Sequence, residues 1–204
     1  MNTIKQLQCG YWLSVVMLAA VLGREEMETL LYARMNSPVG RLLLGGSGSG
    51  LVVLAFGRNL PERVAGRPVR WEESREATEQ VRRQLEEYFA GKRRQFTIPL
   101  DLRGTDFQKS CWQELLRIPY GETRSYAEIA RAVGSPNAYR AVGQANHFNP
   151  IAIVVPCHRV LAAGTALGGY GGGLATKGFL LRLEGAAFRD DATEDREQKA
   201  LNFT

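Results

Sequence analysis

Hydrophobic and polar residues alternate with a short period in the first part of the chain. Apolar runs at 29–33, 41–44 and 51–56 are separated by segments rich in Gly, Ser, Pro and Asn. Short alternating runs bounded by turn residues are typical of β-strands. The pattern therefore predicts a small antiparallel sheet of three strands, followed by a loop over 57–69.

A helical period replaces this alternation between 74 and 90. Val81, Leu85 and Tyr88 recur at the three- to four-residue spacing of one helix face, and Gly91 follows as a stop signal. We therefore interpret the first half of the chain as an α+β unit.

Helix signals dominate after Pro99. Thr105 with Gln108, and Ser125 with Glu128, have the spacing of a capping box, in which two side chains satisfy the free backbone groups at a helix start. Each pair predicts a helix that begins directly after it. The predicted helices are Asp106 to Arg117 and Tyr126 to Val133.

A third helix follows the break at Gly134. Ser135 and Pro136 supply a cap and a first-turn proline, and we expect the helix to extend to about Asn146. Two helices separated by a glycine-containing turn are typical of a helix-turn-helix. Its helical spacing groups the side chains Tyr139, Val142 and Ala145 on one side.

A glycine-rich loop at 168–173 precedes a last predicted helix from Ala175 to Glu184, which Gly185 ends. The predicted organisation has four parts, each with its own composition. These are an N-terminal extension at 1–26, an α+β domain at 27–100, a helix-turn-helix domain at 101–188, and an acidic tail at 189–204.

Composition narrows the class of protein only moderately. The chain has 204 residues, of which 45% are apolar and 23% charged, which excludes a disordered, collagenous or coiled-coil protein. The net charge of +5 permits contact with a polyanion without demonstrating it.

The cysteines and histidines are few and scattered. Cys9, Cys111 and Cys157 form no CxxC pair, and the chain has only two histidines, so we predict no disulfide framework and no metal site. Cys111 lies among the apolar residues of a predicted helix and is expected in the core. Reduced thiols favour a cytoplasmic location.

The apolar run from Tyr11 to Leu22 is shorter than the roughly 20 residues that cross a bilayer, so we expect no membrane span. Two other interpretations remain open. The run could belong to a secretory signal, although Lys5 is its only positive flank and no clean cleavage site follows. Alternatively, Met27 is the natural start and the preceding residues are an upstream extension.

The most reactive-looking site is Cys157, which follows Pro156 and precedes His158 and Arg159. Nearby cationic or basic groups raise the thiolate fraction of a cysteine and make it a nucleophile. A buried, inert cysteine is the structural alternative. Because neighbours in an extended segment point to opposite sides, His158 can assist Cys157 only if the backbone bends or a water bridges them.

Several motifs in the same order resemble one family, the O6-alkylguanine-DNA alkyltransferases, also called methylated-DNA protein-cysteine methyltransferases. The resemblance implies a small ribonuclease-H-like N-terminal domain, with antiparallel sheet and helix, followed by a winged-helix-like helix-turn-helix domain that carries the active-site cysteine. The resembling segments are Ile153 to Val160, Gly121 to Tyr126, Arg140 to Gly143, Asn149-Pro150, Gly169-Tyr170 and Leu183 to Gly185.

The resemblance also implies the activity and the partner. A methyl or alkyl group passes irreversibly from O6-alkylguanine in double-stranded DNA to Cys157, after the damaged nucleotide has been flipped out, and the protein is consumed in one turnover. No cofactor is implied, and we expect a monomer. Repair of O4-alkylthymine is left open.

Catalytic roles follow from the same match. Cys157 is the acceptor, and His158 is a water-mediated base that Glu184 holds in place. Tyr126 contacts the extruded guanine and neutralises its developing charge, while Asn149 braces the active-site turn.

Other matching positions imply substrate contacts. Carbonyl groups of Cys157 and Val160, with backbone amides near Gly171, are expected to bind the guanine. Tyr170 is expected to form a pocket wall with Lys177 close by. Gly171 replaces a serine of some members, so a backbone donor is retained and a hydroxyl is lost.

The DNA contacts implied by the resemblance lie on and beside the helix-turn-helix. Arg140 fills the place of the flipped nucleotide, and the small residues Ala141 and Gly143 let the helix enter the minor groove. Arg124 and Tyr126 complete the expected DNA-binding set.

Three other functions would account for parts of the sequence. A non-catalytic lesion-binding protein of the alkyltransferase-like type would lack an acceptor, so Cys157 argues against it. A Cys-His hydrolase would need an acyl pocket and an oxyanion hole, for which the sequence gives no sign. A transcription factor would leave Pro156 to Arg159 without a role.

Overall fold

The computed structural model describes residues 27–57 and 59–189. The apolar run at 11–22, Cys9 and almost all of the predicted acidic tail lie outside the described residues. Within the described ranges, no helix has the length and apolar character that crossing a bilayer requires.

The first half folds into a five-stranded sheet with the order β3-β2-β1-β5-β4. The three predicted strands are present and pair as an antiparallel meander. The predicted loop over 57–69 is wrong, because two further strands form there and β5 pairs with β1 in parallel. The strands are β1 (Glu28–Ser37), β2 (Gly40–Ser47), β3 (Gly50–Phe56), β4 (Arg63–Val64) and β5 (Arg67–Glu73).

The predicted helix of this half is α1, Arg75–Phe89, which lies against the sheet. The Ser74 hydroxyl caps it by accepting a hydrogen bond from the Ala77 backbone. Val81, Leu85 and Tyr88 are buried, as their spacing predicted. The fold is therefore of the α+β class, with the helix carrying its apolar face into the core.

Both predicted capping boxes are present in the second half. They open α2, Asp106–Leu116, and α3, Tyr126–Ala132. Cys111 is completely buried in α2, which confirms its assignment to the core. A short strand β6, Arg124–Ser125, pairs in parallel with β7, Val160–Leu161, and so joins the start of α3 to the segment after Cys157.

Helix α4, Tyr139–His147, begins later than the sequence predicted. Ser135 does not cap it; instead, its carbonyl accepts a hydrogen bond from Ala138 in a turn. The run Ser-Pro-Asn favours that turn over a helix start. Val142 and Ala145 are buried, whereas Tyr139 is 47% exposed and lies outside the expected apolar face.

One hydrophobic core joins the two halves of the chain. The Leu54 backbone of β3 donates to the Pro150 carbonyl and accepts from Ala152, at 2.9 Å in both cases. The segment that leads to Cys157 is therefore held against the N-terminal sheet. The last helix, α5 (Leu174–Glu184), ends at Gly185 in the left-handed conformation, as predicted.

Candidate active site

The backbone bends sharply at Cys157. Residues Cys157–Arg159 form one turn of 3₁₀ helix, and the Arg159 backbone donates to the Pro156 carbonyl at 2.9 Å. The apolar residues before it are turns, with Ile153 at a φ of +70°. The extended geometry that would have separated Cys157 from His158 is therefore absent.

Asn149 braces this turn, as the family resemblance implies. Its side-chain nitrogen donates to the Val155 carbonyl at 2.8 Å and to the Cys157 Sγ at 3.1 Å. Its side-chain oxygen accepts from the Ile151 backbone at 3.0 Å. One amide thus fixes both the loop and the sulfur atom.

The Cys157 side chain reaches a cavity of about 600 Å³. Volumes of roughly 300–1,000 Å³ are typical of small-molecule sites. Although the residue is only 7% exposed, its position on the cavity wall gives the thiol a route to a ligand. The lining residues are Tyr126, Gly143, Gln144, Asn146, His147, Cys157, Gly169, Tyr170 and Gly171.

Behind the turn, Glu184 forms a buried network with the two residues that follow Cys157. The Nε2 of His158 lies 2.9 Å from the Glu184 Oε1. The Arg159 guanidinium donates to both carboxylate oxygens, at 2.8 and 2.9 Å. It also donates to the Ile118 carbonyl at 2.6 Å. Arg159 therefore neutralises Glu184 rather than the thiol.

The protonation states follow from these contacts. Burial tends to raise the pKa of Glu184, but hydrogen bonds from His158 and Arg159 outweigh it and lower the pKa below its ordinary value. Glu184 is thus ionised and can only accept, so His158 donates through Nε2. Burial, which is stronger than the pull of Glu184, lowers the pKa of His158, and the ring is neutral.

The neutral His158 ring leaves Nδ1 as an acceptor, and Nδ1 has no hydrogen-bond partner among the described residues. Burial raises the pKa of the Cys157 thiol, against the lowering effects of Asn149 and then Lys177. The resting thiol is therefore protonated. Of the cationic and basic groups that the sequence suggested as activators, Arg159 is paired with Glu184, and the neutral His158 keeps one acceptor nitrogen.

Lys177 and Val160 lie behind the cavity rather than on its wall. The Lys177 Nζ donates to the carbonyls of Val160, at 2.6 Å, and of Leu167. Burial lowers the pKa of Lys177 to about 8. Tyr170 and Gly171 do reach the cavity, and the Tyr170 hydroxyl has no partner among the described groups.

The expected DNA-binding residues differ in their relation to the cavity. Arg140 and Ala141 are exposed on α4, and Gly143 lines the cavity one turn later. The Arg140 guanidinium lies over the Tyr139 ring, 5.7 Å from its centre. Arg124 is exposed on β6 and pairs with Glu122 at 3.2 Å.

Sequence reasoning missed several residues of the site. The helical spacing predicts only a core position for Tyr88, yet its hydroxyl donates to Glu184 at 2.7 Å. Asn146 lines the cavity, and neither polar atom of its side chain has a partner within the described part of the chain. Only its place on the predicted helix, one turn after Val142, could have signalled Asn146. The described ranges contain no group of acidic, His or Cys side chains that could hold a metal ion.

Comparison with known proteins matches both halves of the chain to one family. Residues 30–102 match "6-O-methylguanine DNA methyltransferase, ribonuclease-like domain", and residues 106–186 match the DNA binding domain of the same family. The two matches cover most of the chain and nearly all of its described residues.

Individual relatives agree. A methylated-DNA–protein-cysteine methyltransferase of Methanosarcina acetivorans is 49% identical over 157 residues, covering 77% of this chain and 99% of the relative. That of Mycobacterium leprae is 53% identical over 152 residues, covering 74% and 89%. The crystal structure of Mycobacterium tuberculosis OGT in complex with DNA matches with a TM-score of 0.69 and 48% identity, over 77% and 92% of the two chains. This chain therefore belongs to the 6-O-methylguanine DNA methyltransferase family.

Proposed function

We propose that this protein repairs double-stranded DNA by moving a methyl or other alkyl group from the O6 atom of guanine onto its own Cys157. The observation that carries the proposal is the Cys157 thiol on a cavity wall, next to a neutral histidine that a buried carboxylate orients. Family membership and relatives named methylated-DNA–protein-cysteine methyltransferase support it.

The chemistry is a displacement at the alkyl carbon. His158 Nδ1 takes the thiol proton through a bridging water, and the sulfur of Cys157 forms a bond to the methyl carbon as the O6–carbon bond breaks. Glu184 holds the Nε2 proton, so that Nδ1 remains the basic atom. The electron pair of the broken bond leaves with guanine, which then takes up a proton.

Groups on the cavity wall stabilise this leaving group. The Tyr126 hydroxyl is a donor for the developing negative charge, and backbone amides near Gly171 are donors for the base edge. The thioether that forms has no ready route back to a thiol. Each chain therefore acts once.

A guanine inside a duplex cannot reach a cavity wall, so the nucleotide must rotate out of the stack at a cost of about a few kcal/mol. Arg140 is exposed on α4, the helix whose Gly143 lines the cavity, and it occupies the place that the base leaves. Ala141 and Gly143 keep that face of α4 narrow. This set of residues suits a minor-groove approach.

The alternative, a lesion-binding protein without transfer, is not favoured. Such a protein needs no acceptor thiol and no base, whereas this cavity has both Cys157 and the His158–Glu184 pair. Alkylated duplex DNA is the proposed partner. A monomeric state and a cytoplasmic location stay predictions.

Mass spectrometry tests the proposal. After mixing with duplex DNA that contains one O6-methylguanine, we expect the intact mass to rise by one methyl group and the modified peptide to contain Cys157. Unmodified Cys157 after complete loss of the lesion, or methyl on another residue, would reject the proposal.

A further inference from the structure

Tyr88 connects the N-terminal half of the molecule to the proposed catalytic network. It is completely buried near the end of α1, and its hydroxyl donates to the Glu184 Oε1 at 2.7 Å. Its ring lies 5.4 Å from that of Phe96 and 6.2 Å from that of Tyr120. The aromatic packing fixes the hydroxyl on the carboxylate.

The two carboxylate oxygens of Glu184 are fully occupied. Oε1 accepts from Tyr88, His158 and the Nη2 of Arg159, while Oε2 accepts from the Nε of Arg159 and, at 3.3 Å, from the Gly121 backbone. Among the described residues, Tyr88 is the only one of these donors that comes from residues 27–100. The sheet-and-helix half thus reaches the acid that orients the proposed base.

We propose that Tyr88 is a positioning residue for methyl transfer: its hydroxyl fixes the Glu184 carboxylate and thereby sets the orientation and basicity of His158. The inference rests on the function proposed above and assigns the N-terminal half a direct part in it. Tyr88 itself touches neither the thiol nor the cavity wall as described.

The hydroxyl matters beyond its contribution to packing. Tyr88 and His158 both donate to the Oε1 atom of Glu184, and the hydrogen bond from Tyr88 stabilises part of the negative charge on that atom. Without this donor, the carboxylate attracts the His158 proton more strongly, so the pKa of His158 rises. A protonated His158 cannot accept the thiol proton, and transfer then fails at a higher pH than in the natural protein.

A shift in the pKa of His158 can be assigned to Tyr88 only if the other charged and titratable groups around His158 and Glu184 keep their positions. Arg159 and His158 come from the active-site turn, Tyr120 from the segment after α2, and Lys177 from α5. Cys157 and Tyr170 lie on the cavity side. A phenylalanine at position 88 leaves all of these in place.

The experiment compares Tyr88→Phe with Tyr120→Phe in the full chain. Tyr120 belongs to the same aromatic cluster, but its hydroxyl donates to the Leu183 backbone at 2.9 Å, so its loss removes a hydroxyl without removing a donor from Glu184. Single-turnover methyl transfer from O6-methylguanine duplex is measured across pH, together with the affinity for undamaged duplex.

For Tyr88→Phe we expect transfer to be about tenfold slower, as for loss of a hydrogen bond to a charged group, with unchanged DNA affinity. The acidic limb of the pH profile moves upward by about half a pH unit. For Tyr120→Phe, we expect the acidic limb of the pH profile to lie where it does in the natural protein. Equal profiles for the two variants would overturn the inference.

NMR titration of the histidines gives a readout that needs no activity. The chain has only two histidines, so the signals of His158 are readily assigned. We expect Tyr88→Phe to raise the pKa of His158 alone; an unchanged His158 would contradict the inference even if transfer were slow. If the natural protein transfers no methyl group, the proposed function fails while this titration still tests Tyr88.

A second substitution covers the case in which Tyr88→Phe does not fold. Incorporation of 3-fluorotyrosine at position 88 keeps the ring and hydroxyl and makes the hydroxyl a stronger donor. We expect the acidic limb and the pKa of His158 to move downward, opposite to Tyr88→Phe. Movement in the same direction, or none, would overturn the inference.

Discussion

The turn that carries Cys157 and the helix that carries Arg140 border the same cavity but are built in different ways. Residues 157–159 are buried, and their side chains are held by Asn149, Glu184 and backbone carbonyls. On α4, the buried Val142 and Ala145 hold the helix in place, while the side chains of Arg140 and Ala141 face outward.

The difference suits the turn to the transfer chemistry and the outer face of α4 to contact with DNA. Side chains on the turn are fixed before any substrate arrives, which is how a protein positions a nucleophile and a base. Side chains on the outer face of α4 are free to follow the shape of a duplex. Substitutions in the turn should therefore abolish transfer or stability, whereas substitutions on the helix should change substrate preference.

The largest effect is expected for Cys157→Ser. A serine hydroxyl is far less acidic and less nucleophilic than a thiol, so methyl transfer should fall below detection while binding to O6-methylguanine duplex remains. Transfer is measured by intact mass and binding by fluorescence anisotropy. Cys111→Ala is the matched control, since Cys111 lies in the core away from the cavity, and it should still accept one methyl group. Methylation of Cys157→Ser would contradict the assignment.

Glu184→Gln should damage both rate and stability. The amide cannot orient His158 as an ionised acceptor, and it leaves the buried Arg159 without its counter-charge. We expect transfer to slow by about 100-fold and the free energy of unfolding to fall by about 3–5 kcal/mol. Single-turnover kinetics and urea unfolding measure the two effects. A stable variant with the natural rate would show that the network does not support transfer.

Arg140→Ala should separate the two regions most clearly. Filling the gap in a stack is needed only for a duplex, so we expect transfer from duplex DNA to slow by about tenfold and transfer from free O6-methylguanine base to change little. Parallel assays on the two substrates give the ratio. A similar loss of rate on duplex DNA and on free base would show that Arg140 acts in the transfer step instead.

The smallest effect concerns stability in acid. The folded protein lowers the pKa of Glu184 from its ordinary value of 4.5, so this carboxylate stabilises the fold fully above that value and loses its contribution as pH falls further. We expect a loss of about 2 kcal/mol in the free energy of unfolding as the solution becomes more acidic than pH 4.5. Urea unfolding across pH measures it, and Glu184→Gln should flatten the curve. An equally steep curve for that variant would assign the loss to other groups.

Local signals in the sequence predicted much of the fold. The capping boxes at Thr105 and Ser125 involve only a few consecutive residues, and they form as predicted. Strand β5 was missed because its apolar positions are few and its partner, β1, lies far away in the sequence. The start of α4 was misplaced because Ser135 is compatible with either a cap or a turn, and tertiary packing decides between them.

The site shows the same division. The bend at Cys157 is one of the two conditions that the sequence set for assistance by His158. The contacts of His158 with Glu184 and of Asn149 with the sulfur join residues that the family resemblance pairs, and their catalytic roles stay predictions. The contact between Tyr88 and Glu184 joins residues 96 positions apart. In the sequence, Tyr88 is part of an apolar helix face, and its hydroxyl gives no sign of a polar partner. Pairing between distant buried groups leaves no pattern in a single sequence.

Direct, irreversible capture of the alkyl group limits each chain to a single transfer, so the stoichiometry of the reaction is decisive. Duplex DNA containing labelled O6-methylguanine is added in large excess, and methyl groups are counted on the protein and as free product over time. We expect one methyl group bound per chain, on Cys157, and then no further reaction. Continued loss of the lesion beyond one methyl group per chain would contradict it.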